Sequence, residues 1–128
     1  MTLHTIAAYI GVSLLAIVMG FQVLLALGRP LGRFAWGGKY RVLPTRLRWA
    51  SLSAILILGL AAWMLLARAG QAWPGPEAAA SRILAWVFAG YFTLNIVMNA
   101  RSQSPAERYT MTPLVTLLTA CCYFVALS

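Results

Sequence analysis

The sequence predicts an all-α fold, a four-helix transmembrane bundle running up and down, on three observations. Four apolar runs are each long enough to span a bilayer, charge is scarce, and the charge that exists gathers between the runs. The chain has 128 residues, 62% of them hydrophobic and 9% charged, with a mean hydropathy of +0.81. A soluble domain carries about 25% charged residues, so this chain lacks the polar groups to cover a water-facing surface. Helices of a soluble core would also show a polar stripe every turn. These runs are apolar all round. The length fits a single domain.

A spanning helix takes about 20 mostly apolar residues. The first span is expected at 5–27, closed by the helix breakers Gly28, Pro30 and Gly32. No Lys or Arg precedes Arg29, and the run is longer than a signal-peptide core, so it reads as a retained span. The second is expected at 49–67, ending before Arg68, and the third at 81–100, ending before Arg101. The fourth is expected at 109–127, with Pro113 in its first turn, where a missing N–H does little harm.

The connectors set the expected orientation. Loop 28–48 holds Arg29, Arg33, Lys39, Arg41, Arg46 and Arg48, and loop 101–108 holds Arg101 and Arg108. These two loops share a side and carry eight of the ten basic residues; the other side has only Arg68 and Arg82. Basic residues favour the cytoplasmic side. Loops 28–48 and 101–108 are therefore expected in the cytoplasm, and both termini outside. Trp49, Trp73, Tyr109 and Tyr123 fall near span ends, where amphipathic rings favour the headgroup zone.

Two groups of residues are candidates for a site. The first lies in loop 28–48: Arg29, Arg33, Trp36, Gly37, Gly38, Lys39 and Arg41. Its glycines permit backbone angles closed to other residues, and its arginines and amides can hold a phosphate or lipid headgroup. The competing reading is an ordinary basic connector, since no complete phosphate-loop pattern frames Gly37-Gly38. The second group is an intramembrane polar cluster of Gln22, Tyr91, Asn95 and Asn99. Tyr91, Asn95 and Asn99 are spaced at four and share a helix face. Either they join helices through hydrogen bonds, with Gln22 bonding to Asn95 or to a backbone carbonyl, or they line a polar cavity or path. Ser51, Ser53, Thr93, Thr116 and Thr119 are expected to bond back to their own helices.

Several function classes lose support. The basic balance is spread over connectors rather than over a folded face, which argues against nucleic acid as a partner. No acid falls within an expected span, which argues against a proton-coupled transporter. The chain has no Asp, one His (His4) and two adjacent cysteines, Cys121 and Cys122. No Ser/His/Asp set, metal site or C-x-x-C motif can be assembled from these. No cofactor is expected, and an enzyme is not favoured.

The segments Gly28-Arg-Pro-Leu-Gly-Arg-Phe-Ala-Trp-Gly-Gly, Val42-Leu-Pro-Thr-Arg-Leu-Arg48 with Ser51, Asn99-Ala-Arg-Ser, and Ser104-Pro-Ala-Glu-Arg-Tyr-Thr-Met-Thr-Pro113 carry a resemblance. Across nearly its whole length the chain resembles small bacterial integral membrane proteins of four predicted spans. The resemblance implies a bacterial source and the four-span layout, and it brings no activity. The expectation is thus a multi-pass protein of the bacterial inner membrane, accessory or lipid-interacting. Its expected partners are membrane lipids, with anionic headgroups at the cytoplasmic face, and a further copy of itself or a larger membrane protein. The alternatives are an oligomeric pathway for a small solute or ion and an enzyme acting on lipid headgroups. Loop 101–108 is expected to pack under loop 28–48, with Glu107 ion-paired to one of its arginines.

Overall fold

The computed structural model describes residues 2–128. The chain is all-helical: α1 is Leu3–Ala26, α2 Thr45–Arg68, α3 Ala79–Ala100 and α4 Pro105–Ala126. Two short 3-10 turns, Gly32–Phe34 and Trp36–Gly38, interrupt the first connector. All four α-helices are long and apolar enough to cross a membrane. α1 packs against α2 and α4, and α3 packs against α4 and α2; the seam between α2 and α3 is the sparsest of the four.

Inside a bilayer, helices gain little by hiding apolar surface from lipid, so close packing holds them together. The core has the small residues this demands. Ala8, Ala61, Ala85 and Ala89 are buried among Leu15, Met64, Leu65, Phe88, Leu118 and Cys122. Gly11 goes further. A Cβ there would lie 2.7 Å from Leu65 Cδ1, so Leu65 of α2 occupies a notch in α1 that only glycine leaves open. Cys121 and Cys122 are buried free thiols.

All four helices begin earlier than hydropathy suggests, α1 and α3 by two residues and α2 and α4 by four. α2 starts at Thr45, four residues before the expected 49, because Pro44 in extended conformation (φ −65, ψ 161) serves as its N-cap. Its first turn carries Arg46 and Arg48, whose charges mask it from a hydropathy reading. α4 starts at Pro105 rather than 109. The Ser104 hydroxyl caps it by accepting the Glu107 N–H at 3.3 Å, and Pro105 needs no partner in the first turn. The two connectors therefore shrink to 27–44 and 101–104. Pro113 lies well inside α4, not in its first turn. It leaves the Tyr109 carbonyl without its helical donor. Glu107, expected in a loop, belongs to the first turn of α4.

Each end of the bundle is tied by side chains to backbone carbonyls. At one end Arg48 Nε donates to the Ala26 carbonyl at 2.8 Å, closing the C-terminus of α1. At the other, Arg68 donates to the carbonyls of Pro76 and Ser128, and Trp63 Nε1 donates to Trp73 O at 2.9 Å. The Tyr9 hydroxyl donates to Gln71 Oε1 at 3.2 Å.

Candidate functional site

The first connector folds as a compact cap. Leu25, Ala35, Leu43 and Leu47 form a small buried cluster, with Phe21, Leu31 and Tyr40 against it. The chain crosses itself at Gly32, whose N–H donates to Arg41 O at 2.9 Å. A Cβ on Gly32 would sit 1.8 Å from the Tyr40 carbonyl oxygen, so no other residue fits this crossing. The following segment carries three residues of positive φ in a row: Trp36 (54°), Gly37 (71°) and Gly38 (72°). Trp36 has a Cβ, and such a conformation costs about 1–3 kcal/mol unless its surroundings hold it.

The cap docks on α4. Ser104 Oγ donates to the Arg33 carbonyl, and the Gly37 N–H donates to Glu107 Oε1 at 3.1 Å. The expected packing of the two connectors is therefore present, but the expected ion pair is replaced. The hydrogen-bond partner of Glu107 is a backbone amide rather than an arginine, because the left-handed turn at 36–38 presents the Gly37 N–H to α4. In a capping box the residue at this position bonds back to the N-cap N–H. Here the Ser104 N–H is taken by Ser102 Oγ at 3.1 Å, and Glu107 turns to the cap instead.

Beneath the cap lies a cavity of about 690 Å³. All four members of the intramembrane cluster, Gln22, Tyr91, Asn95 and Asn99, line it, and so do Trp36 and Gly37 of the loop group. Besides Trp36 and Gly37 of the cap, the exposed members of its wall are Ser53 and Ile57 on α2 and Tyr91 and Met98 on α3, so its mouth opens at the sparse α2–α3 seam. At the α1–α4 seam, a smaller apolar hollow of about 230 Å³ shares the wall made by Val18, Phe21, Phe34 and Met111.

The rest of the loop group stays outside. Arg29, Arg33, Lys39 and Arg41 are exposed and none of them lines the cavity. Arg33 lies with its guanidinium carbon 4.7 Å from the Phe34 ring centre, and Lys39 Nζ lies 5.6 Å from that of Tyr40. Gly38 is packed against the Ser104 side chain. The seven residues therefore do not form one anion pocket; the turn at 36–38 faces the bundle and the basic side chains face away.

The polar wall is satisfied in an unexpected way. Asn95 Nδ2 donates to the Tyr91 carbonyl at 2.9 Å and Asn99 Nδ2 to the Asn95 carbonyl at 2.7 Å. Both amides bond along their own helix rather than across to α1, and the Gln22–Asn95 bond does not form. A carbonyl accepts only from the amide nitrogen, so each Asn on this wall keeps its Oδ1 acceptor and a second N–H. Ser53, Thr93, Thr116 and Thr119 bond to the carbonyl four residues back, as expected. Ser51 does not. It lines the cavity, is 1% exposed, and its hydroxyl has no partner.

Four polar lining residues were outside the two candidate groups: Ser51, Ser53, Ser102 and Glu107. A signal existed for Glu107, since Ser104-Pro-Ala-Glu107 is a helix-start pattern that places it in a first turn. A lone carboxylate with amides and hydroxyls can hold a ligand but makes no nucleophile–base pair. Among the described residues no three His, Cys, Asp or Glu side chains gather to hold a metal ion.

The buried Ser51 hydroxyl yields a prediction. An unpartnered buried hydroxyl costs about 1–3 kcal/mol, so Ser51→Ala should raise the stability of the empty protein by about 1 kcal/mol. Unfolding in mixed micelles by titration with sodium dodecyl sulfate will read it. A loss of stability of that size would mean that the hydroxyl is paired.

Comparison of the chain with known family models, with curated proteins and with solved structures finds no match.

Proposed function

We propose that this chain is a multi-pass protein of a bacterial cell membrane that holds one small amphiphile in the cavity beneath its basic cap. In this reading the helices run up and down, both termini lie outside, and the cap and the 101–104 turn lie in the cytoplasm. The charge bias of the connectors supports that orientation. The supporting observation for ligand binding is the convergence on one cavity of Gln22, Tyr91, Asn95, Asn99 and the unpartnered Ser51. Its volume falls in the range of small-molecule sites, about 300–1,000 Å³. Its walls are largely apolar, with a few polar groups near the cap end, which suits a molecule with a polar head and a greasy tail. The mouth between α2 and α3 would let the tail leave sideways into the bilayer.

This reading is preferred to a solute path through the chain. Beyond the cavity Leu15, Leu58, Phe88, Phe92 and Leu118 fill the bundle. The cavity is blind in a single copy.

Three twelve-carbon probes that differ only in their heads (alcohol, amine and phosphate), each with a photoreactive diazirine in the tail, test the proposal. At least one should label peptides that line the cavity. Ala54, on the α2 wall, gives the control: Ala54→Trp fills the space and should remove most of that labelling. Labelling spread evenly over the lipid-facing surface, and indifferent to Ala54→Trp, would overturn the assignment.

A further inference from the structure

We infer that the cavity selects an ammonium head: its ligand is a long-chain amine or an aminolipid, not an anionic amphiphile. This deepens the amphiphile reading above and rests on it.

The charge distribution is the first ground. The chain has ten basic residues and two acids. None of the ten basic residues lines the cavity, although six of them lie between Gly28 and Trp49, in the cap or the turn that follows it. One of the two acids does line it, Glu107. A site for a phosphate or carboxylate head would be expected to turn at least one of those arginines inward. Here the arginines face away and the single charge on the wall is negative.

The hydrogen-bonding pattern is the second ground. Asn95 and Asn99 each use one amide N–H on a carbonyl of α3 and keep their Oδ1 and a second N–H. Glu107 uses one oxygen for the Gly37 N–H and keeps the other. The acceptors left over, the two Oδ1 atoms and the second Glu107 oxygen, include the only charged group on the wall, and an ammonium brings three donors and no acceptor to meet them. Phe21, Phe34, Trp36 and Tyr91 add aromatic rings to the same wall, and ring faces attract a cation. The amine of an aminophospholipid and a free lipophilic amine both bring that ammonium.

The same three probes decide it, in an uncharged maltoside detergent with protein-free micelles as background. The amine should occupy the cavity at least about tenfold more tightly than the alcohol or the phosphate, the ratio expected for one charge-assisted contact. Glu107→Gln should erase most of that preference. Because Glu107 also ties the cap to α4, Asn95→Leu provides a second variant, and the head-group ranking in the unaltered protein needs no variant. Native mass spectrometry then separates the sources. Protein extracted from membranes of phosphatidylethanolamine and phosphatidylglycerol that retains the former points to an aminophospholipid. Protein that retains neither but binds the amine probe points to a free amine. Cavity labelling that depends on Ala54 but is equal for the three heads, or strongest for the phosphate, would sink the ammonium inference and leave the amphiphile reading standing. No cavity labelling by any head would sink both.

Discussion

Gly32→Ala should unfold the cap. The added methyl would lie 1.8 Å from the Tyr40 carbonyl oxygen and 2.8 Å from that of Arg41. Both are backbone atoms, so no side-chain rotation relieves the clash. The two strands of chain must separate, which breaks the Gly32 N–H to Arg41 bond and opens the cluster of Leu25, Ala35, Leu43 and Leu47. Overpacking of this kind costs about 1–3 kcal/mol where neighbours can yield; with rigid backbone the cost should reach the upper end or beyond. Trypsin should report it directly, since Arg33, Lys39 and Arg41 flank the crossing and would become cleavable. Amphiphile labelling should fall in parallel, because Phe34 to Gly37 form part of the cavity wall. Gly20→Ala is the matched control. Its Cβ would meet nothing within 4 Å, and alanine favours a helix over glycine by about 0.8–1 kcal/mol. If Gly32→Ala kept the protease resistance of the unaltered chain, the crossing would be misread.

The second large effect is expected between α1 and α2. Leu65 is fully buried and sits in the notch at Gly11. Leu65→Ala should cost about 2–5 kcal/mol, as for other buried leucines truncated in packed cores. Gly11→Ala should also destabilise, because its Cβ would lie 2.7 Å from Leu65 Cδ1. The double variant should cost less than the sum of the two, since the alanine at 11 would occupy space vacated at 65. Unfolding midpoints in mixed micelles for the four proteins of this cycle give the coupling. Strict additivity would show that the two residues do not touch.

The span pattern was legible because hydrocarbon leaves the chain few choices. Apolar runs of the right length had to become helices, and four did. The starts of α2 and α4 were less legible, for different reasons. Arg46 and Arg48 dilute the hydropathy of a turn that is nonetheless helical, and only Pro44 marked it. For α4 the mark was Ser104 with Pro105 after it. The cavity was legible in part. Spacing alone placed Tyr91, Asn95 and Asn99 on one face, but whether their amides would bond outward or along α3 depends on what α1 and α2 offer opposite them. Ser51 shows the limit most clearly. Nothing in its neighbourhood in sequence distinguishes it from Ser53, yet Ser53 bonds to the Trp49 carbonyl and Ser51 is left alone. That difference arises only when the helices are assembled.

Pro113 gives α4 a soft joint. Its ring removes one rung of the helical ladder at the Tyr109 carbonyl, level with the half of α4 that walls the cavity, whereas Leu118, Cys122 and Val125 anchor the other half in the core. Bending stiffness should drop at that rung. The segment from Pro105 to Thr112 can then flex against the cap, which its cluster of Leu25, Ala35, Leu43 and Leu47 seats on α1 and α2, while the opposite half of the helix stays still. The α4 wall of the cavity at Glu107 and Met111 could yield to a bulkier guest at the cost of a few degrees at a single residue, without loosening the side of the bundle held by Arg68.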